Sequence, residues 1–236
     1  GGLMAPRLND QVDEVIVRKT PLFSGLDEAA AASLRASMNL IKLKKGQVLF
    51  REGDDGDHLY IVSSGKVKLG TKATDGRENL LMILGPGDMF GELSLFDSGP
   101  RTASAIAVTD SKILALGQEK VIPWVREHPQ VSLQLLARLA SRLRRTNEVV
   151  GDLVFSDVPG RVAKALIDLG VKFGERREEG LYVNHDLTQE ELAQLVGASR
   201  ETVNKSLADF VARGWIRLDG RSVVLLDYER LLKRGR

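Results

Sequence analysis

The run Gly197-Ala-Ser-Arg-Glu-Thr-Val-Asn-Lys205 reads as a tight turn followed by the first two turns of a helix. Gly197 supplies the sharp turn, and Ser199 stands where its hydroxyl caps a new helix. Just upstream, Thr188-Gln-Glu-Glu191 has the spacing of a capping box. In that arrangement the threonine hydroxyl accepts from the Glu191 amide while the glutamate returns to the Thr188 amide. A helix through Val196 is expected. Ala193, Gly197 and Val203 then fall where a helix-turn-helix needs a small contact residue, a turn and a buried apolar residue. Arg200, Glu201, Asn204 and Lys205 share the exposed face, one turn apart. Arginine offers a bidentate fork to guanine, and glutamate accepts from the cytosine amino group. The charges alone describe an ordinary solvated helix face. In register with the box, the small residue, the glycine and the apolar position, they predict a face that reads double-stranded DNA.

Working outward, Trp215-Ile-Arg-Leu218 and Val223-Val-Leu-Leu226 are joined through Asp219-Gly-Arg-Ser222 and read as a hairpin, the wing of a winged helix. Arg217 and Arg221 on it are either phosphate contacts or ordinary solvated arginines. Upstream, a helix is expected from about Arg161 to Lys172 and a short strand near Leu181–Val183. Asp157-Val-Pro-Gly160 breaks the chain before them and marks a domain boundary. From about Pro129 to Phe155 the pattern predicts one long helix. Its apolar stripe runs Leu136, Leu139/Ala140, Leu143, then Thr146/Asn147, then Val150 and Leu153/Val154. This is the 3.5-residue repeat of a parallel two-helix seam, interrupted by one polar step. The rival reading is an amphipathic helix packed on its own domain; the spacing and a basic flank, Arg138, Arg142, Arg144 and Arg145, favour the seam. Polar Thr146 and Asn147 cost stability there unless something needs their hydrogen bonds.

Before that helix the texture is different. Residues 1–25 form a polar start, expected to be loosely held, and Leu26–Arg35 looks helical with Asp27 as its cap. Short apolar runs follow: Val48–Phe50, Leu59–Val62, Val67–Leu69, Leu80–Leu84, Ala103–Val108 and Ile113–Leu116. Turn signals such as Gly53-Asp-Asp-Gly56 and Gly85-Pro-Gly87 separate them. Short strands at this spacing predict a compact antiparallel barrel or sandwich. The fold class is therefore α+β, divided as 1–128 for the β domain, 129–156 for the long helix and 157–236 for the winged helix-turn-helix.

Composition limits the chemistry. The 236 residues have room for two domains with real cores, and a net charge of +2 means any nucleic-acid contact relies on local basic clusters. Zero cysteines exclude disulfides and thiolate metal sites. With no apolar run near a membrane span and no signal pattern, the expected location is the cytoplasm, with no membrane partner.

One further run stands out: Phe90-Gly-Glu-Leu-Ser-Leu-Phe-Asp-Ser-Gly-Pro-Arg-Thr102. Gly91 lets the backbone come close to a ligand, and Glu92-Leu93-Ser94-Leu95 opens a short helix whose free amides suit an anion. Arg101, following a proline and starting a strand, and the Thr102 hydroxyl complete a phosphate cradle. Glu92 is an acceptor and suits a sugar hydroxyl. Arg101 by itself reads as an ordinary surface arginine.

The chain resembles the cAMP receptor protein family of bacterial transcription regulators from about Leu22 onward. The motifs are Gly91-Glu-Leu-Ser with Pro100-Arg-Thr102, Arg142-Leu-Arg-Arg-Thr-Asn147 and Ser199-Arg-Glu-Thr-Val203. Together with Asp152-Leu-Val-Phe-Ser-Asp-Val-Pro-Gly-Arg161 they are most similar to the actinobacterial branch. The resemblance implies a jelly-roll cyclic-nucleotide-binding domain, a dimerisation helix and a homodimer switched by cAMP. It places Gly91, Leu93 and Ser94 around the cyclic phosphate and ribose, Glu92 on the ribose 2′-hydroxyl, and Arg101 and Thr102 on the phosphate. Thr146 would meet the adenine amino group, and Asn147 the nucleotide of the other subunit. On the DNA side it implies Thr188, Gln189, Ser199, Arg200, Glu201, Thr202, Asn204, Lys205 and Arg221, reading a TGTGA-like inverted repeat, with RNA polymerase as a further partner. Lys205 stands where the family has arginine, which removes a bidentate fork at one base.

No cofactor beyond the allosteric ligand is expected. A same-fold regulator that binds DNA constitutively, or answers to another small ligand, is the alternative. Iron–sulfur sensing is excluded by the absent cysteines. Haem sensing is disfavoured because His58, His128 and His185 read as surface or turn residues. An enzyme finds no support: Gly85-Pro-Gly-Asp-Met-Phe-Gly91 misses the dinucleotide fingerprint, and no P-loop, nucleophile or metal cluster is present.

Overall fold

The computed structural model describes Thr20 and residues 26–236; the expected loose start otherwise lies outside the described residues. Contacts divide the chain into two compact units. One comprises residues up to Thr71 with Ile83–Arg144, the other Lys72–Met82 with Arg145–Arg236.

In the first unit, α1 (Glu28–Ala36) starts where the Asp27 carboxylate accepts the Ala30 amide at 2.7 Å. Eight strands follow along the chain, in this unit except for Lys72 and residues 78–82: β1 (Asn39–Leu43), β2 (Val48–Phe50), β3 (His58–Ser64), β4 (Val67–Lys72), β5 (Glu78–Leu84), β6 (Met89–Phe90), β7 (Ser104–Ala107) and β8 (Ser111–Gly117). They form two four-stranded sheets ordered β1-β8-β3-β6 and β2-β7-β4-β5. The pairings β1–β8, β3–β8, β3–β6, β2–β7 and β4–β7 are antiparallel. The architecture is thus the expected two-sheet β domain. β1 and β6 add to the strands read from apolar runs.

Three helices complete this unit: α2 (Leu93–Asp97), α3 (Gln118–Glu127) and the start of α4 (Pro129–Phe155). Leu59 and Ile61 of β3 and Leu114 and Leu116 of β8 pack into one buried cluster with Leu34, Val121, Trp124, Val131 and Leu135. Each such side chain removed from water contributes about 1.5–3 kcal/mol. The cluster fixes the first turns of α4 against the β3–β8 face.

The second unit begins its compact part at α5 (Val158–Phe173). The Asp157 carboxylate caps it by accepting the Gly160 amide at 2.9 Å, with Pro159 in the first turn, where a missing N–H costs nothing. A sheet of order β11-β12-β10-β9 contains β9 (Gly174–Arg177), β10 (Gly180–Asn184), β11 (Ile216–Asp219) and β12 (Ser222–Leu225). Between its strands run α6 (Gln189–Val196) and α7 (Arg200–Ala212), and α8 (Tyr228–Arg234) ends the chain. The expected hairpin is β11–β12, with Asp219 opposite Ser222. β9, Gly-Glu-Arg-Arg, has no apolar residue and gave no strand signal; it pairs along β10 through its backbone.

One expectation needs correction. Arg101 does not start a strand: β7 begins at Ser104, and the Arg101 backbone instead pairs with the 53–54 turn, its amide donating to Asp54 O and its carbonyl accepting from Gly53 N, both at 2.8 Å. Of the two readings open for His185, surface or turn residue, the structure takes the turn. His185 is 5% exposed, and its Nδ1 accepts the Leu187 amide at 2.9 Å, which closes the turn before α6.

Candidate functional site

The cradle residues converge in the first unit as the sequence indicates, but with an inward arginine. Arg101 is only 4% exposed, so it is not the ordinary surface residue that its position after a turn suggests. Its guanidinium donates from Nη1 to Gly91 O at 2.8 Å and from Nη2 to His58 O at 2.9 Å. The cation lies 4.3 Å from the Phe50 ring centroid and 5.5 Å from that of Tyr60. Phe50, Tyr60 and Phe90 stack at 5.4–6.1 Å and form an aromatic floor. Burial raises the Tyr60 hydroxyl above its usual range, against the opposing pull of Arg101.

Glycines hold this geometry open. Gly91 has φ +82°, and a Cβ there would meet Arg101 Nη1 at 2.7 Å. A Cβ on Gly56 would lie 2.4 Å from Arg101 Nε, so any side chain at 56 displaces the guanidinium. Gly56 read in the sequence only as a turn signal, and Phe50 only as a strand residue. Their role depends on strands that meet in space.

Glu92 and Ser94 are also buried, Leu93 is half-buried and Thr102 is exposed. Glu92 as a whole is 1% exposed, and its Oε1 accepts from Arg142 Nη1 of α4 at 2.6 Å. Its Oε2 is buried and unpartnered, as is Arg101 Nε. Leaving such groups unpaired costs about 1–3 kcal/mol each, more when charged, and sites that retain them are poised for a further partner. A carboxylate acceptor and a guanidinium donor in one cradle suit a ligand that has both a hydroxyl and an anionic group.

Half of the basic flank of α4 turns inward, while Arg144 and Arg145 stay exposed. Arg142 turns in to Glu92, and Arg138 donates from Nη2 to Met89 O at 2.6 Å. In the second unit Arg145 reaches Asp168 at 3.5 Å. The apolar stripe is exposed: Leu143 is 63% and Val154 67% exposed, and Leu136, Val150 and Leu153 are exposed alongside them. Thr146 and Asn147 are exposed on the same helix, just past the end of the first unit.

The nucleic-acid face in the second unit is built as its sequence indicates. Glu191 N donates to Thr188 Oγ1 at 3.1 Å, and Thr188 N to Glu191 Oε1 at 3.0 Å, so both halves of the capping box form. Gly197 ends α6 at φ +78°, a left-handed conformation that suits glycine. Ser199 Oγ accepts the Thr202 amide at 3.2 Å and starts α7. Ala193, Val203, Leu207 and Phe210 are buried, which orients α7 and leaves Arg200, Glu201, Thr202, Asn204 and Lys205 exposed together. Thr188 and Gln189 are half-buried at the start of α6, and Gln189 Oε1 is buried without a partner. On the wing, Arg221 is exposed. Arg217 pairs with Glu179 on the exposed surface, with Nη2 to Oε1 at 3.2 Å.

No described helix is long and apolar enough to cross a membrane, and no group of three or more metal-ligating side chains occurs among the described residues.

Both parts of the chain are similar to known proteins. Residues 40–128 match the cyclic nucleotide-binding domain family, and residues 160–234 the Crp-like helix-turn-helix domain family. A Mycobacterium tuberculosis protein described as a CRP-like cAMP-activated global transcriptional regulator is 53% identical across 95% of this chain and 100% of its own length. The cyclic AMP receptor protein of Thermus thermophilus is 38% identical over 86% of this chain and 90% of its own. Among solved structures, the catabolite activator protein of the same organism superposes with a TM-score of 0.54 at 36% identity, covering 92% of this chain and 98% of that one. The global regulator CLP of Xanthomonas campestris, described as c-di-GMP responsive, gives 0.72 at 27% identity, covering 84% of this chain and 99% of that one.

Proposed function

Since the chain belongs to the actinobacterial branch of the Crp family of transcription regulators, which bind DNA through a helix-turn-helix and are not enzymes, we propose that it is a homodimeric regulator switched by cAMP. The observation behind this reading is the buried pair of unsatisfied groups in one cradle, Glu92 Oε2 and Arg101 Nε. A cyclic nucleotide supplies what each lacks: a ribose 2′-hydroxyl to donate to Glu92, and a phosphate for the arginine. Gly91, Leu93, Ser94 and Thr102 line the same phosphate and ribose. Thr146 and Asn147 take the purine, Asn147 from the opposite subunit, which gives the polar step in the α4 seam its purpose.

The homodimer forms when two copies of the exposed α4 stripe cover each other. Ligand then biases the seam and, through the linker at Ser156–Asp157, the direction of the two recognition helices. An inverted repeat of TGTGA-like half-sites requires those helices about 34 Å apart, one DNA turn. Arg200 reads a guanine and Glu201 a cytosine. Thr188, Gln189, Ser199, Thr202, Asn204, Lys205 and Arg221 fix register or contact the backbone. Such a protein works in the cytoplasm on the chromosome, beside RNA polymerase.

The test is fluorescence anisotropy on an inverted-repeat duplex across a salt series, without ligand and with cAMP, cGMP or c-di-GMP. Tightening by cAMP of roughly 5–150-fold is the expected result, the range of ordinary allosteric coupling. Equal affinity with and without cAMP would instead assign a constitutive regulator.

A further inference from the structure

Ser156 and Asp157 are the two residues between α4 and α5 that belong to neither helix. Two guanidinium groups hold them. From the first turn of α5, Arg161 donates Nη1 to Ser156 O at 3.0 Å, Nε to Val196 O at 3.2 Å and Nη2 to Gly197 O at 3.4 Å. Ser156 closes the last turn of α4, its amide bonding Asp152 O at 2.8 Å, while Val196 and Gly197 close α6. Carbonyls at helix C-termini lack intrahelical donors and bear partial negative charge. One cation held by α5 therefore joins the C-terminal ends of two other helices. The end of α4 reaches the same turn directly: a Cβ on Gly197 would lie 3.6 Å from Leu153 Cδ2.

On the other side of the linker, Arg234 at the end of α8 grips the Asp157 carboxylate with both nitrogens, at 2.9 and 2.6 Å. Oδ1 of that carboxylate also accepts the Gly160 amide that starts α5. The fit is close, since a Cβ on Gly160 would come within 2.8 Å of Asp157 Oδ1 and 3.3 Å of Arg234 Nη1. Neither arginine lies on the exposed face of α7.

We propose that Arg161 and Arg234 are positioning residues for DNA recognition, fixing the angle at which α5 leaves α4 and tying that angle to the Gly197 turn ahead of the recognition helix. The inference rests on the homodimer reading above. A two-residue linker has few soft dihedrals, and each is multiplied by the length of the helices it carries. In a dimer on an inverted repeat, the angle sets how far apart the two α7 helices stand, which is read as half-site spacing. Three carbonyls in different directions need a planar fork of donors, which lysine lacks.

The experiment uses the full chain with saturating cAMP. Anisotropy is measured on duplexes whose two half-sites are stepped one base pair at a time around the wild-type optimum, and on a duplex with one half-site. Arg161→Gln and Arg234→Gln are expected to bind the optimal duplex about tenfold more weakly, the loss of one or two charge-assisted hydrogen bonds. They should keep single-half-site affinity and cAMP affinity, and flatten or shift the spacing profile. Arg161→Lys, which keeps the charge and loses the fork, should give the same flattened profile and serves if the glutamine variants fail to melt cooperatively. A spacing profile of unchanged shape in folded variants, whether uniformly weaker or not, overturns the inference while leaving the dimer reading intact. A wild-type profile with no optimum overturns the dimer reading, and this inference with it.

Discussion

Arg142 Nη1 lies 2.6 Å from Glu92 Oε1, an ion pair in which the carboxylate is 2% exposed and the guanidinium 29%. It binds the first part of α4 to the nucleotide cradle, so the protein itself buries and orients the acceptor proposed for ribose. Breaking one member of a buried pair leaves the other uncompensated. Arg142→Met should therefore destabilise the first unit by an amount near the lower end of about 3–5 kcal/mol, because water reaches the exposed side of Arg142. The Glu92→Gln, Arg142→Met double variant should lose less than the sum of the singles. Urea unfolding followed by Trp124 fluorescence in a Trp215→Phe background measures this, and additive losses would show the pair to be energetically idle.

Arg101→Gln removes the cation from the aromatic floor and the donor proposed for the cyclic phosphate. Its cAMP affinity should fall by about 1.5–3 kcal/mol, the worth of one charge-assisted hydrogen bond. Calorimetry reads the loss directly. Undiminished affinity would move the ligand away from this cradle.

Arg200 stands first on the exposed face of α7. Arg200→Ala should cost about 1–3 kcal/mol on the specific half-site and leave non-specific duplex binding nearly unchanged. Competition anisotropy with matched and scrambled duplexes separates the two. An equal loss on both would make Arg200 a phosphate contact.

Asp168 of α5 has its carboxyl pushed above the ordinary value of 3.8, first by burial, with Arg145 and Lys164 opposing and Asp152 and Glu148 adding. A raised folded value means that the group stabilises the fold when protonated. That contribution is complete below the unfolded pKa and disappears as pH rises through the folded one. Asp168→Asn should accordingly match or exceed the wild-type melting temperature at pH 7, with the difference vanishing below about pH 4. Melting curves from pH 3 to 7 test the sign. A clear loss of stability at pH 7 would mean that the two cations outweigh burial.

Local signals made much of this molecule legible. The capping box at Thr188–Glu191, the left-handed Gly197 and the Ser199 cap each act over three or four residues, and all formed as read. The long helix was legible from end to end because its apolar stripe has a single period. β9 was not, because Gly-Glu-Arg-Arg joins the sheet through backbone hydrogen bonds that leave no mark on side-chain pattern. The inward turns of Arg138 and Arg142 were hidden for a related reason: on a helix surface an arginine reads as solvated until a carbonyl or a carboxylate is brought to it.

By itself the sequence determined which elements form and which side chains offer chemistry, since helix caps, turn glycines and apolar periods are set by neighbours along the chain. Only tertiary structure decided what those side chains do. Phe50, Gly56, Tyr60, Gly91 and Arg101 become one site because two strands and three connecting segments meet there, and the Arg161 guanidinium finds Val196 and Gly197 across 35 and 36 residues of chain. A hydrogen bond or a stacked cation depends on separation in space within a few ångströms, and folding brings together groups that no sequence spacing relates.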